Sequence, residues 1–250
     1  MKKLIVGNWK LNPKTVKEAE MLAKGIASYA KISKRTDTVL CTPFPYIAPL
    51  KKLKLSKVSL GAEDLSDQTE GAYTGDVAGS MIISVGASYV IIGHSERRAR
   101  GETSALVATK TAQALKAKLT PIICVGEKER DTHGEYLSYI KKQLHESLQG
   151  FSPAQMKQIV IAYEPIWAIG ASAQREATPE EFNEVRIFIR KVLSDMTSAQ
   201  TAQRIKILYG GSVDKKTAAL FMNEGGGDGV LVGRASLNAK NFGGIIASVK

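Results

Sequence analysis

The chain has 250 residues, 44% of them hydrophobic, which is enough for one large α/β domain with a sizeable core or for two small domains. The formal net charge of +11 attracts anionic ligands at long range, but the basic residues are scattered and not interleaved with aromatic ones, so we expect no nucleic-acid partner. No stretch resembles a membrane span or a secretory signal, and two cysteines are too few for a disulfide framework, so we expect a cytoplasmic protein without a membrane partner.

Eight short runs rich in valine, isoleucine and leucine recur about every 31 residues along the chain. In chain order they begin at Leu4, Thr38, Val58, Tyr89, Pro121, Ile159, Ile205 and Gly229. Their nearly continuous apolar character is typical of parallel strands that are covered on both faces. Cys41 and Cys124 lie in two of these runs, and we expect both to be buried thiols.

Helical periodicity separates the strands, with apolar residues recurring at spacings of three and four. The clearest ranges are Val16–Tyr29, Ala105–Lys118, Tyr136–Leu148 and Pro179–Met196. The last begins well, with Thr178 as N-cap, Pro179 at the first position and Glu181 at the third. Eight strand-helix units predict a (β/α)8 barrel that forms a single domain over residues 1–250. The alternative is a doubly wound open sheet, which is weakened because no glycine-rich dinucleotide fingerprint follows the first run.

A barrel would bring the polar residues that follow its strands to one rim, where barrel enzymes place their active sites. These residues are Asn8 and Lys10 after the first strand, His94, Ser95 and Glu96 after the fourth, Glu164 after the sixth, Gly210, Gly211 and Ser212 after the seventh, and Gly233 after the eighth. Glu164 is suited to abstract a proton, and His94 to polarise a carbonyl group. Lys10 and Asn8 are suited to stabilise developing negative charge. Taken singly, each has an ordinary alternative role as a capping, turn or surface residue.

Local sequence adds detail to this predicted site. Glu164 ends an apolar run and precedes Pro165, whose fixed φ angle helps to deliver the acid to one point, and we expect burial to raise its pKa. Ser95 is a candidate N-cap for the next helix, with Glu96 in its first turn. The glycines of YGGS and LVGR predict backbone N–H groups that hold an anion, although glycine also serves tight turns for conformational reasons alone. The two other histidines lack partners at ligand spacing, so we expect no metal site.

The motifs GNWKLN, IIGHSERR, AYEPIWAIG, YGGSV and DGVLVGRASL occur in this order, and together they resemble the triosephosphate isomerase family from end to end. The resemblance implies that the chain interconverts dihydroxyacetone phosphate and glyceraldehyde 3-phosphate through an enediolate, in glycolysis and gluconeogenesis, without a cofactor. It implies that Glu164 moves the carbon-bound proton and that His94 acts as a neutral imidazole with a lowered pKa. Lys10 and Asn8 would stabilise the oxyanion. These roles are carried over from the family and do not follow from the spacing.

The same resemblance assigns the surroundings of the site. Ser95 and Glu96 would support it from the side, and the segment from Pro165 to about Ala177 would close over it to exclude water. The residues whose backbone amides would hold the phosphate group are Gly170, Ser212, Gly233 and Arg234.

The resemblance further implies a homodimer. The segment EGAYTGDVAG, residues 70–79, is similar to the family's loop that places a threonine, here Thr74, near the partner's active site. Asp76 in this loop is expected to pair with Arg97 of the partner subunit. Without the resemblance, an ordinary surface loop would be the preferred interpretation.

Four features depart from the family pattern. Asp76 is one methylene shorter than the usual glutamate, which predicts a weaker dimer contact. Glu63 of GAED adds a negative charge near Lys10, and Arg234 replaces a glycine whose backbone angle a side chain disfavours. The segment GASAQREATP is two residues longer than its counterpart. These departures motivate one alternative, a phosphate-binding barrel that has lost catalysis. A different phosphate-handling (β/α)8 enzyme is weaker, because it would lack the acid-base set that this chain contains.

Overall fold

The computed structural model describes residues 2–170, 173 and 175–249. Eight parallel strands close into a barrel in which each strand pairs with the next along the chain and the last pairs with the first. They are β1 (Lys3–Asn8), β2 (Thr36–Thr42), β3 (Val58–Ala62), β4 (Tyr89–Ile92), β5 (Thr120–Val125), β6 (Val160–Tyr163), β7 (Lys206–Tyr209) and β8 (Gly229–Val232). All eight predicted strands are confirmed, and so is the barrel, in place of the doubly wound sheet.

Helices cover the outside of the barrel. They are α1 (Val16–Ile32), α2 (Phe44–Lys52), α3 (Gly79–Ser84), α4 (Ser95–Arg98), α5 (Ser104–Lys116), α6 (Glu135–Ser147), α7 (Pro153–Met156), α8 (Pro179–Met196), α9 (Ala199–Ala202), α10 (Ala218–Asn223) and α11 (Ala239–Ala247), with 3₁₀ turns at Ile166–Ala168 and Arg234–Leu237. α8 has the predicted bounds, and the predicted capping box between Thr178 and Glu181 is confirmed. α5 ends before the predicted Lys118, because that residue has a left-handed φ of 64°, which a helix does not continue through.

The alternation of side chains along the strands aims the site residues at the barrel axis. In β6, Val160 and Ala162 belong to the cluster of strand side chains that fills the barrel interior. Since side chains alternate with a period of two, Glu164 continues the same inward row just past the strand end. In β1, Val6 belongs to the same interior cluster, and Asn8 follows it at the same period. The barrel thus delivers an acid and an amide to one end of its axis.

Cys41 and Cys124 also lie in the barrel interior, and both are free and buried, as predicted. Burial raises the pKa of each thiol well above its usual value, so both stay protonated. Among all the helices that the structure describes, none is both long and apolar enough to cross a membrane.

Candidate active site

A cavity of about 670 Å³ lies at the carboxyl ends of the strands. Its lining includes all four predicted catalytic residues and all four predicted phosphate-binding residues, namely Asn8, Lys10, His94, Glu164, Gly170, Ser212, Gly233 and Arg234. The barrel therefore brings together residues that are separated by more than half of the chain. Among the described residues, no group of three or more His, Cys, Asp or Glu side chains could hold a metal ion.

Glu164 lies just beyond β6, and its side chain is only 3% exposed. Oε2 accepts a hydrogen bond from the backbone N–H of Ser95 at 2.9 Å, and Oε1 accepts one from the Ser95 hydroxyl at 3.3 Å. Oε1 also lies 3.0 Å from Nε2 of His94. Burial raises the pKa of Glu164, but His94 and the Ser95 N–H lower it more, so the net pKa lies below the usual value. The expectation of a raised pKa is therefore wrong for this arrangement.

His94 is the N-cap of α4, a role that the sequence had suggested for Ser95, which is instead the first residue of the helix. Nδ1 of His94 accepts a hydrogen bond from the backbone N–H of Glu96 at 3.2 Å. Because an accepting ring nitrogen carries no proton, the neutral imidazole has its proton on Nε2, which faces Glu164. Burial lowers the pKa of His94, but the Glu164 carboxylate raises it, and the net pKa lies above the ordinary value. The lowered pKa implied by the resemblance is thus wrong while Glu164 lies beside the ring.

Lys10 follows β1 with a left-handed φ of 54°. Oδ1 of Asn8 accepts a hydrogen bond from the backbone N–H of Lys10 at 3.1 Å, so Asn8 stabilises this turn in addition to lining the cavity. The Lys10 amine lies 2.6 Å from Oε1 of Glu96. A methyl group placed on Gly233 would lie 3.9 Å from Nζ of Lys10, so the amine also borders the loop after β8. Lys10 therefore stands between the acid-base residues and the predicted phosphate loop.

Glu63 follows β3, and its carboxyl group faces the backbone of Trp9 and Lys10. Burial raises the pKa of Glu63 to about 8, against the opposing effect of the Lys10 backbone. Within the part of the chain that the structure describes, its buried Oε1 has no hydrogen-bond partner. The additional negative charge expected near Lys10 is therefore largely absent at neutral pH, because the carboxyl group is mostly protonated there.

The predicted phosphate-binding residues lie on three loops around the cavity. Gly170 has a left-handed φ of 76°, and the Ser212 hydroxyl donates to the backbone oxygen of Ala168 at 3.2 Å, which joins two of these loops. Among the described non-glycine residues, a positive φ occurs only at four lysines, so Arg234 occupies its position without the backbone strain expected there. Ala171, Ser172 and Gln174, in the segment expected to close over the site, lie outside the described residues.

The residues predicted to form a dimer interface do not line the cavity. Thr74 and Asp76 are exposed in the loop before α3. Arg97 pairs within its own chain, with Asp64 at 2.7 Å and Glu102 at 3.4 Å. Its pairing across a dimer stays a prediction.

Sequence reasoning missed two residues beside the predicted base. Oε1 of Glu127 accepts hydrogen bonds from the hydroxyl of Tyr163 and from Nε1 of Trp167, each at 2.7 Å. Gly126 must be glycine, because any side chain there would collide with the backbone oxygen of Glu164. Both residues end the run PIICVGE. Their position just after a strand is the sequence feature that could have indicated a place near the site.

Comparison with known proteins gives one consistent result. Residues 3–249 match the family model described as triosephosphate isomerase. The triosephosphate isomerase of Ralstonia nicotianae is 44% identical over 244 residues, which is 96% of each chain. That of Rhodopirellula baltica is 43% identical over 246 residues, covering 97% of this chain and 96% of the relative. The crystal structure of triosephosphate isomerase from Bartonella henselae superposes with a TM-score of 0.85 at 33% identity, covering 99% of both chains.

Proposed function

The chain belongs to the triosephosphate isomerase family, and from this premise we propose how its residues carry out the reaction. It is an intramolecular aldose-ketose isomerase that interconverts dihydroxyacetone phosphate and glyceraldehyde 3-phosphate, in glycolysis and gluconeogenesis. The observation that carries the assignment of roles is the meeting of Glu164, His94, Lys10 and Asn8 in one cavity.

Glu164 is the base. It takes a proton from C1 of dihydroxyacetone phosphate and returns it to C2 of the enediolate, which gives glyceraldehyde 3-phosphate. Its lowered pKa keeps the carboxylate ionised at neutral pH. Turning toward the substrate separates the carboxylate from Ser95 and His94, and these are the contacts that lower its pKa, so the base becomes stronger as it meets the carbon-bound proton.

His94 is the proton donor to the substrate oxygens. Its Nε2–H donates to the carbonyl oxygen at C2, and the ring then transfers the hydroxyl proton between the two oxygens of the enediolate. The N–H of Glu96 supports the neutral tautomer that this role needs. Once Glu164 has turned away, burial is the largest remaining influence on the pKa of His94, and burial lowers it. The neutral imidazole is therefore favoured at the moment of reaction.

Lys10 and Asn8 stabilise the charge that develops on the enediolate oxygens, as a cation and an amide donor respectively. The backbone amides of the loops after β6, β7 and β8 receive the phosphate group through Gly170, Ser212, Gly233 and Arg234. The support for this placement is that these residues line the same cavity as the acid-base set. The position of the Lys10 amine next to Gly233 supports it further, because the amine then attracts the dianion as well.

The proposal extends to the oligomeric state, the cellular location and the domain organisation of the protein. The chain acts as a homodimer in the cytoplasm, with residues 1–250 forming one domain. In support of the dimer, two large apolar side chains are exposed on loops: Leu11, 95% exposed, follows Lys10, and Tyr73, 50% exposed, precedes Thr74. Association through these loops would remove both from water.

A coupled assay tests the function directly. Purified protein should convert glyceraldehyde 3-phosphate to dihydroxyacetone phosphate, detected by a dehydrogenase that consumes the product. The alternative, a barrel that binds phosphate esters without catalysis, predicts binding with no turnover. Within the described residues the acid-base set is complete, and nothing there favours that alternative. The Glu164→Gln variant separates the two functions, because it should keep binding and lose turnover.

A further inference from the structure

Arg175 connects two elements that flank the segment expected to cover the cavity. Its guanidinium lies 4.4 Å from the centroid of the Trp167 ring, in the 3₁₀ turn that precedes the segment. Its Nη1 and Nη2 donate to the two carboxylate oxygens of Glu181, at 2.9 and 2.5 Å, in the first turn of α8. A planar guanidinium suits both partners, because it forms two parallel bonds to a carboxylate and stacks on an aromatic face.

Both partners of Arg175 are themselves held in place. Oε2 of Glu181 accepts a hydrogen bond from the backbone N–H of Thr178 at 2.9 Å, within the capping box of α8. Trp167 is 4% exposed, its Nε1 is bonded to Glu127, and a second guanidinium, that of Arg130, lies 6.0 Å from its ring centroid. Arg175 therefore fixes the turn Ile166–Ala168 to the start of a long helix.

These contacts coexist with a withdrawn catalytic base. The Glu164 carboxylate is bonded to Ser95 and His94, and it does not point freely into the cavity. Only Pro165 separates Glu164 from the turn that carries Trp167, and its ring fixes φ. Because this link is short and stiff, a movement of the Glu164 backbone toward a substrate would also shift the turn Ile166–Ala168. Any contact that holds Trp167 opposes this shift.

We propose that Arg175 is a positioning residue that holds the turn Ile166–Ala168, and through it Glu164, in the withdrawn arrangement until a phosphate ester binds. The proposal rests on the role given above to Glu164, and it names the residue that sets the cost of moving that base. Arg175 touches no reacting atom. Its contacts are exposed and individually weak, so the bias on ligand affinity should be about threefold to tenfold.

The test compares Arg175→Ala, Arg175→Lys and Glu181→Gln in the full-length protein. The probe is glycerol 3-phosphate, a phosphate ester of substrate size that has no carbonyl group and cannot react. Glutamine at position 181 can still form the capping box, so Glu181→Gln removes only the charge that Arg175 pairs with. Lys191→Ala is the matched control, because it breaks an exposed ion pair with Asp195, 3.1 Å long, on the same helix.

Arg175→Ala should bind glycerol 3-phosphate about threefold to tenfold more tightly than the unmodified protein, and the control should not change. Arg175→Lys and Glu181→Gln should show smaller gains. The double variant, Arg175→Ala with Glu181→Gln, should bind glycerol 3-phosphate little more tightly than Arg175→Ala alone, because both substitutions break the same Arg175–Glu181 contact. Unchanged or weaker binding by Arg175→Ala would overturn the proposal, and so would fully additive effects.

Tryptophan quenching gives a second readout. In the ligand-free protein, acrylamide should quench Trp167 more strongly in Arg175→Ala, whereas Trp9 is fully buried and gives a constant background. Equal quenching in both proteins would contradict the proposal. Neither measurement depends on turnover. A failure of the isomerase assay and a failure of the Arg175 proposal would therefore be distinguishable.

Discussion

Oε1 of Glu164 lies 3.0 Å from Nε2 of His94, so the proposed catalytic base and the proposed proton donor contact each other directly. Burial raises the pKa of Glu164 and lowers that of His94, but the mutual attraction of the two groups reverses both effects. Their titrations are therefore coupled. In the proposed mechanism, a substrate that separates them strengthens the base and favours the neutral ring in one movement.

Glu164→Gln should lower the pKa of His94. The carboxylate is what raises that pKa against burial, so its removal leaves burial as the main influence. Titration of the His94 imidazole signals by NMR, in the native protein and in the variant, measures the shift. A pKa for His94 that stays constant or rises in the variant would show that Glu164 is not the dominant partner.

Glu63→Gln should stabilise the protein at alkaline pH. The folded-state pKa of Glu63 is about 8, above the ordinary glutamate value of 4.5. Because this pKa is raised, the contribution of Glu63 to the free energy of unfolding is fully present below about pH 4.5. That contribution is lost progressively as the pH rises through about 8. Glutamine has nearly the same shape and no charge, so the variant should exceed the native protein by a few kcal/mol in free energy of unfolding at pH 9.

Urea denaturation at pH 5 and pH 9 measures this difference, which should be small at the lower pH. Glu70→Gln, at an exposed glutamate, is the control and should show little change at either pH. A Glu63→Gln variant whose advantage is independent of pH would contradict the protonated state assigned to this carboxyl group.

Arg234→Pro and Arg234→Ala should separate the backbone from the side chain in phosphate binding. Arg234 begins a 3₁₀ turn, a position where proline is tolerated, and proline removes the N–H group proposed to bind the phosphate. The proline variant should raise KM by about tenfold, whereas alanine, which keeps the N–H, should raise it by no more than about threefold. Equal effects in steady-state assays of the two variants would assign the interaction to the guanidinium instead.

Sedimentation of the purified protein should give about twice the chain mass of 27.0 kDa. Tyr73→Glu should shift the protein toward monomers and reduce its activity, because it places a charge in the proposed apolar interface. Tyr139→Glu is the matched control, since Tyr139 is 49% exposed on α6, close to the 50% of Tyr73. A monomeric native protein, or equal effects of the two variants, would argue against the dimer proposed above.

The barrel could be predicted from the sequence because apolar runs of strand length recur at a regular spacing along the chain. The eight apolar runs, the capping box at Thr178 and the inward row that ends in Glu164 all depend on residues that are near one another in the chain. The rim position of the proposed catalytic residues then follows from the parallel direction of the strands.

Contacts between distant loops could not be predicted in the same way. The contacts of Glu164 with His94 and Ser95 join the ends of β4 and β6, and together they reverse the direction of a pKa shift that burial alone predicts. The neutral state of Glu63 depends on how deeply its carboxyl group is buried, which its sequence neighbours do not specify. The bridge made by Arg175 lies where the sequence departs from the family pattern, so no motif indicated it.

The central claim, that Glu164 carries the proton between the two carbons, is tested most directly by isotope exchange. Dihydroxyacetone phosphate incubated with the protein in deuterated water should gain deuterium at C1, because a proton held on Glu164 exchanges with solvent before it returns. Glu164→Gln should slow this exchange by at least about 100-fold while still binding glycerol 3-phosphate. Exchange by the variant at close to the native rate would contradict the account.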